Sequence, residues 1–71
     1  MKNLQSLANE FHQKLNNLLG IMLLTELELR KEFLANFLRW QQSSVYSPIE
    51  GVEICEERYL SGFPMPWEIR K

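Results

Sequence analysis

Catalysis needs a nucleophile or an acid–base pair within reach of one another, and this sequence offers a single thiol, Cys55, and a single imidazole, His12. Together they could form a thiol–imidazole pair and make the chain a small enzyme. Set against that, His12 falls at the margin of an apolar helical stripe, where an ordinary boundary residue is expected. Cys55 lies among alternating residues that suit a small semi-buried filler better than a reactive thiolate. A non-catalytic chain is therefore expected.

Carboxylates gather at Glu50, Glu53, Glu56 and Glu57, while aspartate is missing from the whole sequence. The cluster lacks the oxygen-rich loop of a calcium site and the His or Cys ligands of a zinc site, so no metal and no cofactor is expected. Three scattered glycines, Gly20, Gly51 and Gly62, do not make a phosphate-cradling loop. Eight Lys+Arg against nine acidic residues give a net charge of -1, and the basic residues are dispersed, adjacent only at Arg30-Lys31 and Arg70-Lys71. That removes the electrostatic footprint of a dedicated nucleic-acid binder. A small nucleic-acid-binding regulator remains the alternative, because two helices around Gly20 could form a helix-turn-helix. Its recognition helix would then expose Phe33, Phe37 and Trp40 in place of base-reading polar groups.

The elements that position these residues follow from hydrophobic spacing. Leu4, Leu7, Ala8, Phe11, Leu15, Leu18 and Leu19 recur at steps of three and four, as on one face of a helix. Gly20 follows directly, where a residue tolerant of positive φ can end a helix, so a break is expected near Gly20. Thr25-Glu26-Leu27-Glu28 has the spacing of a capping box, although Thr25 could equally sit inside a continuous helix. Residues from about 21 to 42 read as a second helix with an apolar arc approaching 180°. Met22, Leu29, Phe33, Phe37 and Trp40 lie along one edge of that arc, and Leu23, Leu27, Leu34 and Leu38 along the other. Glu26 and Arg30 fall between the edges and could pair there or reach outward.

Beyond Ser43 the texture changes. Ser47-Pro48 suggests an extended or turn conformation, and Val52, Ile54 and Glu56 alternate with Glu53, Cys55 and Glu57 as in a short strand. A hairpin between about residues 50 and 60 is the expectation. Phe63-Pro64-Met65-Pro66-Trp67 would follow as an extended aromatic strap. The fold class is thus mainly α: a helical hairpin over residues 1–42 and an extended or β-like strap over 43–71, all in one domain.

A chain of 71 residues buries a modest core, and a lone cysteine supplies no internal disulfide. Oligomerisation is the expected extra source of stability. A helix with two apolar flanks needs two neighbours, so a homodimer with a four-helix arrangement is expected through Leu23, Leu27, Arg30, Leu34 and Leu38. Phe33, Phe37, Trp40, Phe63 and Trp67 are the candidate partner-binding residues, with coverage of the row by the chain's own tail as the competing possibility. The longest apolar run, at residues 18–24, is about seven residues against the roughly 20 of a membrane-crossing helix. No signal-like segment opens the chain, and a cytoplasmic home is expected. A small regulator, adaptor or accessory subunit acting by protein–protein contact is the function these features favour.

Overall fold

A computed structural model of the chain describes residues 4–68. Three α-helices follow in order, α1 (Leu4–Ile21), α2 (Leu27–Gln42) and α3 (Pro48–Ser61), and a single 3-10 turn spans Pro66–Glu68. No strand occurs among the described residues. Lys2, Arg70 and Lys71 lie outside them, as does the end of the expected strap.

The first helix does not stop at Gly20; it continues through Ile21. Its end is built by two backbone bonds, from the Leu24 amide to the Leu19 carbonyl (3.0 Å) and from the Leu23 amide to the Gly20 carbonyl (3.0 Å). This is the Schellman pattern, and it places Leu23 at the position that calls for a left-handed residue. Leu23 takes φ 59°, while Gly20 does not have positive φ. The glycine therefore sits three residues too early to serve the turn. Leu23 belongs to the turn and not to the face of α2 where the dimer set placed it.

Neither possibility for Thr25 is realised: it makes no capping box with Glu28, and it lies in the turn and not inside a continuous helix. α2 begins after Glu26, which is extended (φ -86°, ψ 140°) and makes no side-chain cap bond. Of the two possibilities for Glu26 and Arg30, the ion pair does not form, and Arg30 Nε instead donates to the Leu24 carbonyl at 2.6 Å, which ties the turn to the first turns of α2.

The expected hairpin at residues 50–60 is corrected to α3. Ser47 Oγ accepts from the Glu50 amide (3.3 Å) and the Ser47 amide donates to Glu50 Oε1 (3.1 Å), a complete capping box with Pro48 in the first turn. Proline is suited to that position because its missing N–H would have no helical partner there. Gly62 ends the helix in the left-handed region (φ 80°). Helical spacing puts Val52 and Cys55 on one buried face, whereas a strand would have put them on opposite faces.

The core joins Leu15, Leu18 and Leu19 of α1, Phe33 and Phe37 of α2, Val52 and Cys55 of α3, and Met65 of the tail. α1 and α2 run antiparallel, bridged far from their turn by the Phe11 and Phe37 rings at 6.2 Å. α3 packs along α1, where Lys14 Nζ meets Glu53 Oε2 at 3.1 Å. That pair is half open to solvent and contributes at most about 1 kcal/mol. Gly51 lets α3 approach α2 closely: a Cβ there would collide with the Gln41 side chain and come within 3.2 Å of the Trp40 ring and 3.3 Å of the Phe37 ring.

Candidate functional site: an apolar groove between α1 and α2

The two edges of α2 meet different fates. On the first edge Phe37 is fully buried and Phe33 nearly so, which makes both part of the core. The tail folds back over this edge. Trp67 lies edge-on to Phe33 (centroids 5.3 Å apart, planes at 69°) and 6.2 Å from Trp40, while Met65 is buried beside them. A reciprocal pair of bonds fixes this tail: the Glu68 amide donates to the Met65 carbonyl (2.9 Å), and the Met65 amide donates to Glu68 Oε1 (3.0 Å). Trp40 and Trp67 are half-buried, and Phe63 is mostly exposed and turned toward Tyr46, Ile54 and Arg58. The candidate partner row is therefore largely internal packing, with Phe63 standing apart from it.

The second edge has no such cover. Leu27 is 64% exposed and Leu38 53%, with half-buried Leu34 between them. Facing them across the hairpin are Leu7, Phe11 and Leu15 of α1. Two concavities of about 460 and 530 Å³ lie along this seam and meet at Phe11, Phe37 and Leu38. One extends toward the α1–α2 turn past Leu19, Leu27, Arg30 and Lys31. The other extends past Ala8 and Gln41 to Pro48 and Ile49 at the start of α3. Both are of the size that takes side chains of a ligand or partner.

Of the expected dimer residues, the structure brings Leu27, Arg30, Leu34 and Leu38 together on this groove, and leaves Leu23 in the turn with its side chain in solvent. α1 contributes residues that a reading of α2 alone misses, Leu7 and Phe11 above all. Their steps along the first helix were legible, but an amphipathic stripe does not say which part of it stays uncovered. At the far end, Gln41 donates through Nε2 to the Tyr46 carbonyl, and its Oε1 is buried with no hydrogen-bond partner.

His12 lines the end of the groove nearer the turn, beside Phe11 at 5.5 Å between rings. Cys55 lies on α3, fully buried, and lines neither concavity. Burial pushes its thiol up from 9.0 to about 12, with Arg58 pulling weakly the other way, so at neutral pH the sulfur is a protonated thiol. The acidic residues of α3 are occupied differently from a metal cluster: Glu50 caps the helix and Glu53 pairs with Lys14. No group of three or more potential metal ligands gathers among the described residues. Among those residues, too, no helix is long and apolar enough to cross a membrane.

No protein-family model, curated protein or solved structure matches this chain.

Proposed function

We propose that this chain is a small non-catalytic interaction module, a regulator, adaptor or accessory subunit, whose α1–α2 groove takes a helix from another polypeptide. One observation carries the proposal: the chain's own tail lies over Phe33 and Trp40 on the aromatic edge of α2, while nothing among the described residues lies over Leu27 and Leu38 on the leucine edge. Exposed apolar residues scattered singly are ordinary, but Leu27, Leu34 and Leu38 are aligned along a concave seam floored by Phe11 and Phe37. A helix laid there would complete a four-helix bundle around a hairpin that already has α3 and the tail on its other side.

Residues 27, 31, 34 and 38 follow the steps of four and three that make a helix–helix seam. The same spacing favours a second reading, in which the incoming helix belongs to another copy of this chain and the product is a homodimer.

Site-specific photocrosslinking in the native cell tests the proposal. A photoreactive phenylalanine analogue at Leu38 should give a protein adduct of discrete mass. The same analogue at Glu57, exposed on α3, should not, and adding Leu27→Gln and Leu34→Gln should abolish the Leu38 adduct. An adduct at twice the chain mass would identify the homodimer. Equal crosslinking from both positions, or none from Leu38, would remove the groove from consideration.

A further inference from the structure

On the strength of the docking role proposed above, we infer that the occupant of the α1–α2 groove is an amphipathic helix of about three turns whose flanks carry carboxylates. Its length follows from the exposed leucines. Leu27 and Leu38 are eleven residues apart on one helix, which at about 1.5 Å per residue is roughly 16 Å of open seam. Its charge follows from the lining. Across both concavities no acidic residue lines the groove, whereas Arg30 and Lys31 do, in a chain whose overall charge is negative. Neither cation forms an ion pair among the described residues. Arg30 spends Nε on the Leu24 carbonyl and keeps its remaining guanidinium nitrogens for a partner. Glu32, next to Lys31 in sequence, and Glu28, one turn before it, are the nearest acids on α2; neither is paired with it and neither lines the groove. Two free cations beside an apolar seam complement a helix with leucine-like side chains on one face and glutamate or aspartate beside them.

The same charges disfavour a second copy as the occupant. A two-fold pairing through this face sets the same patch against itself. It would bring two Arg30 and two Lys31 side chains to one seam with no acid lining it, and like charges opposed in this way weaken association.

The test uses the full chain, isotope-labelled and observed by NMR, with three synthetic helical peptides. All three carry leucines at the spacing of a three-turn apolar face, and their flanks carry glutamate, glutamine or lysine. The glutamate peptide should bind roughly tenfold tighter than the lysine peptide at about 20 mM salt, with the glutamine peptide between them. The gap should shrink at about 300 mM salt. Resonances of Phe11, Leu34 and Leu38 should shift. Lys31→Glu, at an exposed position with no bond to lose, should reduce or invert the preference. Equal binding of all three peptides in the groove would overturn the charge assignment and leave the docking role standing. Binding of none would overturn both. Sedimentation of the chain alone as a dimer abolished by Leu38→Glu would make a second copy the occupant, and a duplex oligonucleotide shifting these resonances in place of the glutamate peptide would also overturn the inference.

Discussion

Leu23 sets the hairpin angle between α1 and α2, and replacing it with glycine should stabilise the protein. A left-handed conformation costs an L-residue about 1–2 kcal/mol, which glycine does not incur. The Leu23 side chain is 75% exposed, so its removal forfeits only about 0.5 kcal/mol of burial. The greater freedom of glycine in the unfolded chain takes back roughly another 0.5 kcal/mol. The net gain for Leu23→Gly is about 0.5 kcal/mol. Gly20→Ala should add up to about 1 kcal/mol, because Gly20 keeps negative φ in the last turn of α1 and an added Cβ meets nothing within 4 Å. Together they should raise the thermal midpoint by up to roughly 6–12 °C. Thermal and urea melts of each single variant, the pair and Leu23→Ala measure this. Leu23→Ala keeps the strain and loses the side chain, so it should fall below the parent. If Leu23→Gly falls with it while Gly20→Ala still stabilises, Leu23 is not left-handed and the helices turn at another residue.

Gly51→Ala should cost about 1–3 kcal/mol, since the Phe37 and Trp40 rings must give way, and the near-ultraviolet circular dichroism of those rings should change with it. Cys55 gives a pH dependence whose sign follows from burial. In the unfolded chain the thiol releases its proton near pH 9, and in the folded chain near 12, so the folded state holds more protons in that interval. The stability contribution is complete below pH 9 and is lost as pH rises toward 12, by at most about 1.4 kcal/mol per unit. Alkaline urea melts should show this slope in the parent and its absence in Cys55→Ala, and the native thiol should resist disulfide reagents at pH 8 until the chain unfolds.

The helical periodicity of α1 and α2 was legible because each stripe persists over four or more turns, and it carried the antiparallel hairpin with it. α3 was not, for a physical reason: Val52, Ile54 and Glu56 alternate over too few residues to separate period 2 from period 3.6. The decisive local signal was Ser47-Pro48-Ile49-Glu50, in which the same proline that suggests an extended path also opens a helix once serine and glutamate cap it. The left-handed position of the hairpin falls at Leu23 and not Gly20, because α1 runs on to Ile21 and its capping bonds are accepted by the Leu19 and Gly20 carbonyls. Of the candidate site, the doubled apolar flank of α2 was legible from its arc. Which flank the tail would seal was not, because that depends on how α3 carries Met65 and Trp67 back across Phe33 and Trp40.

The central claim is that the folded chain leaves the leucine edge of α2 uncovered, and a soluble paramagnetic probe tests it most directly. In methyl NMR spectra of the dilute protein alone, the methyls of Leu27 and Leu38 should broaden strongly on adding the probe, while those of Leu18 and Val52, both buried, should be protected. Protection of Leu27 and Leu38 to the level of Leu18 would mean that the chain or a second copy already covers the groove, and would contradict the account.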